Sequence, residues 1–190
     1  FMSYALACNM SDKIAAIASV SGAMSSLTQP SCNPTHPTPV MEIHGTSDFI
    51  IFYDNISEGI NYWRDFNNCN LVAETILMPD LNFTDLSSVE HIIYDNGDNG
   101  VTTELFKVNN GGHTWPSSSI ITGVTNYDID ASVEIWKFFS RYNINGLISQ
   151  TTLVNEQILN KSLIKVTDFL GRETYNQNQP LIYFYNDGTV

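Results

Sequence analysis

Two side chains that could act together as an acid–base pair stand in glycine-containing segments of the sequence. Asp48 ends His-Gly-Thr-Ser-Asp, and His113 lies in Gly-Gly-His-Thr-Trp-Pro. In acyl-transfer triads the histidine takes a proton from the nucleophile, while the acid accepts the Nδ1 hydrogen of that histidine and orients its ring. One chain order for such triads is serine, then the acid, then histidine. The order of Asp48 and His113 fits the last two members, which makes these residues candidates for the two roles.

Each of these residues also has a purely structural interpretation. Asp is common in turns because its side chain bonds to the local backbone, and Asp48 follows Gly45 closely. An isolated loop histidine such as His113 is most often only exposed. A triad also needs a nucleophile, and none of the serines stands in a Gly-x-Ser-x-Gly context. The chain as given is therefore expected to be inactive by itself.

The remaining histidines and the acidic turn give weaker indications of a catalytic or metal-binding role. His44 lies in a predicted strand, which favours a structural hydrogen bond, and His36 and His91 stand in no motif. Residues 95–100 (DNGDNG) partly match a calcium loop, but Gly97 lacks a ligand side chain and no glutamate closes the loop. We predict a β-hairpin turn there and no metal site.

The three tryptophans divide by their surroundings. Trp63 and Trp136 fall at helical apolar spacing, which predicts that both are in the core. Trp115 follows the candidate base by two positions, and its sequence leaves core and cleft positions equally open.

Alternating helices and strands must position these residues. The pattern predicts a helix at the start of the chain, a hairpin of strands 90–94 and 103–108, and a helix capped by Asp130. Between them it predicts strands at 14–20 and 40–44 and a helix at 56–66. Asp48 then follows the end of a strand, where open α/β sheets place functional loops. The order indicates an α/β fold with about half of a sheet, and the mid-helix start suggests a missing N-terminal portion.

Composition excludes several classes of function. The chain has 190 residues, 43% of them hydrophobic, and a formal net charge of −12 with 8 Lys and Arg. That charge would repel a phosphate backbone, so we expect no nucleic-acid partner. No apolar stretch approaches the roughly 20 residues that span a bilayer, so no membrane span is expected. No signal peptide can be read at the start of the sequence.

Three segments carry a family resemblance over roughly residues 1–145. The opening FMSYALACNMSDKIAAIASVSG, together with HGTSD and GGHTWP, closely resembles the polyhydroxybutyrate depolymerase and feruloyl esterase family. The resemblance implies an α/β-hydrolase fold, here only the C-terminal half of its sheet, and no cofactor. It makes Asp48 the catalytic acid and His113 the base, and it places Trp115 at the substrate cleft. It also implies that the chain begins just after a Gly-x-Ser-x-Gly-Gly nucleophile elbow.

The end of the chain carries a second resemblance. IKVTDFLGRETYNQNQPLIYFYNDGTV looks like the C-terminal sorting segment of type IX secretion cargo, clipped at its end. The prediction is an esterase domain at residues 1–147, a linker at 148–162, and a short β-rich sorting segment at 163–190. The resemblance implies a secreted or cell-surface protein whose partners are an ester substrate and the type IX secretion machinery.

The three cysteines are too far apart for a metal site. Cys8 lies on an apolar helix face and is expected to be a buried small hydrophobic residue. Cys32 and Cys69 fall in loops of neighbouring units and could form a disulfide, which export would permit, although sequence does not settle connectivity.

The resemblance leaves the substrate open between feruloyl or acetyl esters of plant polysaccharides and hydroxyalkanoate polyesters. The tail favours the polysaccharide esters. Two other functions fit the same elements: a non-catalytic polymer-binding protein on this fold, and a serine peptidase with the same triad order.

Overall fold

A mixed β-sheet with helices on both faces organises the larger part of the chain. The structure, a computed structural model, describes residues 1–25, 27–119, 123–148, 163–167, 172–174 and 182–186. The chain divides into two compact units, Phe1–Ile148 and Ser149–Val190. In the described part of the first unit the elements are α1 (Met2–Asn9), β1 (Ile17–Val20), β2 (Val40–Gly45), α2 (Ile56–Phe66), β3 (Glu74–Leu77), β4 (Ser88–Tyr94), β5 (Thr103–Asn109), α3 (Ala131–Phe139), β6 (Tyr142–Asn143) and β7 (Gly146–Leu147).

Among the described residues, five strands form the main sheet in the order β1-β2-β5-β4-β3. β1, β2 and β5 run parallel, whereas β4 and β3 are antiparallel to their neighbours. Every residue of the interior strand β2, which lies between β1 and β5, is buried, as expected for a parallel strand covered on both faces. The carboxyl ends of three parallel neighbours therefore meet at one edge of the sheet.

The alternation of side chains along β2 defines two cores. Met41 and Ile43 face a cluster that includes Phe138 of α3. Val40 faces the opposite side and packs in a cluster with Tyr4 of α1 and Trp63 of α2. Helix α2 forms there because its apolar residues recur at helical spacing and bury one face.

The elements that were predicted occur in the structure with shifted limits, and some elements were missed. The first strand begins at Ile17 rather than at residue 14, and β3 and the β6–β7 hairpin were not predicted. Asp130 caps α3 as predicted, because its side chain accepts hydrogen bonds from the amides of Ser132 and Val133. The prediction that Trp136 is in the core is wrong: the residue is 72% exposed, since α3 turns Phe138 inward instead.

The second unit is described only in part. Strand β8 (Leu163–Thr167) pairs antiparallel with β9 (Ile182–Tyr185). The predicted sorting segment, residues 163–190, is described at 163–167, 172–174 and 182–186, and its other positions lie outside the described residues. The predicted linker, 148–162, also lies outside them apart from Ile148.

Candidate active site

Asp48 follows the carboxyl end of β2 and is held there by the backbone. Its side chain is buried, and Oδ1 accepts hydrogen bonds from the amides of Ile50 and Ile51, each at 2.9 Å. These bonds close a short turn after the strand. One carboxylate oxygen is thereby fixed by the peptide backbone, and Oδ2 is left to meet a side chain from the loop after another strand.

His113 supplies that side chain from the loop after β5. Its Nδ1 lies 2.8 Å from Oδ2 of Asp48, and its side chain is 40% exposed. Since a carboxylate oxygen only accepts, Nδ1 carries the hydrogen of the neutral ring, and Nε2 keeps its lone pair. An oriented imidazole with one basic nitrogen on a partly exposed ring is the arrangement that a general base requires.

The two loops are joined by backbone hydrogen bonds beside this pair. The amide of Thr46 donates to the carbonyl of Val108 at 2.9 Å, and the amide of Ser47 donates to that of Gly111 at 2.9 Å. Gly45 is necessary at the point of closest approach, because a Cβ there would lie 2.2 Å from the carbonyl oxygen of Gly111. The positions of the acid and the base thus depend on one another.

Hydrogen bonding determines the charge of Asp48. Burial by itself would raise the pKa of this carboxyl, but the amide of Ile51, the His113 ring and the amide of Ile50 stabilise the anion and together lower the pKa below its ordinary value. Asp48 is therefore ionised at neutral pH. A fixed negative charge beside Nδ1 stabilises the imidazolium that forms when Nε2 takes a proton.

His44 makes the structural hydrogen bond expected of it. Its Nε2 lies 2.9 Å from the carbonyl oxygen of Ile51, within the same turn that binds Asp48. The same nitrogen is 3.3 Å from Oδ2 of Asp48. His44 therefore contacts the candidate site, which its position in a strand did not indicate.

Trp115 lies at the surface near the candidate base. It is 45% exposed, and its indole N–H donates to Oγ of Ser132 at 3.3 Å. Of the two positions left open by the sequence, a place in the core is thus excluded. Because the side chain is exposed, a role in substrate binding is possible on geometric grounds and remains a proposal.

The predicted disulfide between Cys32 and Cys69 is wrong. Cys32 is bonded to Cys8, whose Cα lies 4.5 Å away, and Cys69 is a buried free thiol. Helix α1 carries Cys8 to the loop that contains Cys32, whereas Cys69 is turned towards the carbonyl of Val101. The bond ties the first helix of the domain to the loop between β1 and β2.

Three further residues of the site were not predicted. Oγ of Ser21, which directly follows β1, donates to the carbonyl of Thr114 at 3.0 Å. The Glu42 side chain lies 3.3 Å from Nδ1 of His44, and Tyr4 donates to Glu42 at 2.9 Å. Ser21 could have been found from its place after a parallel strand. A buried glutamate in an apolar strand was a signal for Glu42, but nothing in the sequence pointed to Tyr4.

Among the residues that the structure describes, no group of three or more His, Cys, Asp or Glu side chains could hold a metal ion. None of the described helices is long and apolar enough to cross a membrane.

The comparisons with known proteins include a distant relationship to an esterase. No protein-family model matches the chain. The chain is 27% identical over 115 residues to a bifunctional acetylxylan esterase/xylanase, XynS20E, of Neocallimastix patriciarum. The match covers 60% of this chain but 15% of the length of that relative. The similarity indicates a distant esterase-like relationship over part of the chain.

Proposed function

We propose that the chain supplies the acid and base of a serine esterase of the α/β-hydrolase type. The 2.8 Å contact between Asp48 and His113 is the observation that carries the proposal. It joins the ends of two parallel strands, where α/β sheets place their active sites. The similarity to an acetylxylan esterase adds support for ester chemistry.

In this proposal the reaction is acyl transfer through a covalent intermediate. Nε2 of His113 takes the proton of a serine hydroxyl as the hydroxyl attacks the ester carbonyl, and returns that proton to the departing alkoxide. Asp48 holds the ring in the required tautomer and stabilises the imidazolium. A water molecule, activated by the same nitrogen, then releases the acid.

The proposal places the nucleophile upstream of Phe1, since no serine of the chain lies in Gly-x-Ser-x-Gly. We use "intact protein" for the chain together with that proposed segment. Sequencing the coding DNA before the codon for Phe1 tests this directly. An in-frame Gly-x-Ser-x-Gly-Gly supports the proposal, and an elbow whose serine is replaced favours a non-catalytic polymer-binding protein.

Acyl esters of plant polysaccharides, acetyl or feruloyl, are the proposed substrates. The relative's name specifies acetylated xylan for that protein. Exposed Trp115, two positions after the base, is proposed to border the cleft and to offer its ring to the substrate. Export by the type IX machinery through residues 163–190, to the outside of the cell, would bring such an enzyme to polymeric substrates.

The decisive experiment measures ester hydrolysis by the intact protein and its variants. Asp48→Asn and His113→Gln should each lower kcat by about three to four orders of magnitude, as in other triads. His91→Gln and Asp80→Asn are matched controls away from the pair and should retain activity. An unchanged rate in Asp48→Asn would refute the assignment.

The same preparations distinguish substrates. Acetylated xylan, methyl ferulate and a hydroxybutyrate oligomer should be compared, with faster hydrolysis of either polysaccharide-type ester supporting the proposed class. Faster hydrolysis of an amide than of its matching ester would instead indicate a peptidase.

A further inference from the structure

A row of buried polar side chains leads from α1 to the candidate acid. Tyr4 donates to Oε2 of Glu42 at 2.9 Å, and Oε1 of Glu42 lies 3.3 Å from Nδ1 of His44. Nε2 of His44 then meets the carbonyl of Ile51 at 2.9 Å and Oδ2 of Asp48 at 3.3 Å. The side chains of Glu42, His44 and Asp48 are completely buried.

The partners of His44 fix where its protons lie. Nε2 faces two oxygens that only accept, the carbonyl of Ile51 and the carboxylate of Asp48, so it carries a hydrogen. Nδ1 faces Oε1 of Glu42, and a hydrogen bond between these two atoms also needs a proton. The pair therefore holds one shared proton, either as neutral Glu42 with neutral His44 or as carboxylate with imidazolium. Its net charge is zero in both forms.

Burial and hydrogen bonding both keep this proton on the pair. Burial raises the pKa of Glu42. Burial also lowers the pKa of His44, but its bonds to Glu42 and to the Ile51 carbonyl outweigh that effect and leave the pKa raised. Loss of the proton would create a second buried negative charge close to Asp48, which low polarity makes unfavourable.

Few other titratable groups stand around the pair. Among the described residues, Tyr4 approaches from α1, and the ring of Tyr53, from the segment after β2, is centred 6.3 Å from that of His44. Lys107 is in register with His44 on β5, but its ammonium pairs with Glu90 at 3.1 Å. The Glu42–His44 pair thus meets Asp48 as a neutral unit that presents an N–H.

We propose that Glu42 and His44 are positioning residues for the proposed triad. By sharing a proton they keep an N–H of His44 directed at the Ile51 carbonyl and at Asp48, which holds the turn that presents Asp48 to His113. The inference rests on the proposed function for its catalytic consequence. The positioning itself involves only the residues of this chain.

Nitrogen-15 NMR of the histidine rings in the unmodified protein is the first test. Nε2 of His44 should be protonated throughout the pH range in which the protein is folded, and Nδ1 of His113 should carry a slowly exchanging hydrogen. A His44 ring with a bare Nε2 would overturn the proposal, whatever the variants do.

Variants of His44 supply the second test in the intact protein. His44→Met removes the N–H at similar size, and should broaden or abolish the Nδ1–H signal of His113 and lower kcat about 100-fold, with KM little changed. In His44→Gln an amide N–H can reach the Ile51 carbonyl, so both readouts should largely recover. Equal losses in the two variants would contradict the proposal.

A second Glu–His pair in the sheet, with its glutamate buried and its histidine 16% exposed, provides the control. Glu104 and His91 lie 2.8 Å apart, on β5 and β4, and neither contacts Asp48. His91→Met should leave the His113 signal and kcat unchanged. An effect as large as that of His44→Met would show general loosening of the sheet and overturn the inference.

The two proposals fail differently in these experiments. If the intact protein hydrolyses no ester while the NMR signals respond to His44→Met as described, the proposed function fails and the positioning stands. If ester hydrolysis depends on Asp48 but not on His44, the proposed function stands and this inference fails.

Discussion

Oγ of Ser21 donates a 3.0 Å hydrogen bond to the carbonyl oxygen of Thr114, and so joins the end of β1 to the residue that follows His113. Together with Asp48 after β2, this bond brings the ends of three parallel strands into one arrangement. Ser21 is largely buried and has a positive φ of 50°. Ser21 thus keeps an unfavourable backbone conformation at the point where its hydroxyl anchors the loop that carries His113.

Ser21→Ala should destabilise the fold by about 1 kcal/mol, because it removes the hydroxyl and leaves the Thr114 carbonyl without its donor. Ser21→Gly loses the same bond, but glycine adopts a positive φ without steric cost. Its free energy of unfolding should therefore exceed that of Ser21→Ala by about 1 kcal/mol. Urea unfolding should therefore rank the glycine variant above the alanine variant. Equal stability of Ser21→Ala and the unmodified protein would show that the bond does not anchor the loop.

Because of Asp48, the free energy of unfolding should depend on pH in the acidic range. Its folded pKa lies below its unfolded value of about 3.9. The carboxylate therefore contributes stability that is fully present above the unfolded pKa and is lost as pH falls through the folded pKa. The stability difference between the unmodified protein and Asp48→Asn should be largest near neutral pH and shrink towards pH 3. A difference independent of pH would contradict the depressed pKa.

The cap of α3 offers a prediction independent of the site. The Asp130 carboxylate accepts two backbone hydrogen bonds at the start of the helix, and Asp130→Ala should cost about 1 kcal/mol. Exposed Asp80, which lies outside the helices and strands, is the matched control, and Asp80→Ala should change the unfolding free energy by less than about 0.5 kcal/mol. Equal effects of the two substitutions would show that the cap contributes nothing specific.

Local patterns predicted the elements that bury an apolar face. Ile56, Ile60 and Trp63 recur at helical spacing and α2 runs over those residues. Strand β3 carries no such pattern, because all four of its residues are exposed at the edge of the sheet. Trp136 was assigned to the core because it is apolar, yet the orientation of α3 turns Phe138 inward instead. Which apolar residue faces the core is decided by packing between elements.

In the candidate site, too, local motifs predicted some of the residues and packing between elements determined the others. Asp48 and His113 could be paired from their motifs, and the structure brings them together. The pairing of Cys8 with Cys32 depends on where α1 packs, and no spacing rule determines that distance. Tyr4 and Glu42 meet for the same reason, since they come from different elements that pack on one face of the sheet.

The cysteine pairing leads to the last prediction. The Cys8–Cys32 bond closes a loop with a sequence separation of 24, and its removal in Cys8→Ser or Cys32→Ser should cost about 3 kcal/mol by restoring freedom to the unfolded chain. Cys69→Ser is the control, because burial raises the pKa of that thiol and it takes part in no disulfide. Under native conditions iodoacetamide should label Cys69 slowly, and in denaturant it should label one thiol per chain. A Cys32–Cys69 peptide in a non-reducing digest would refute this pairing, and with it the tie between α1 and the loop after β1.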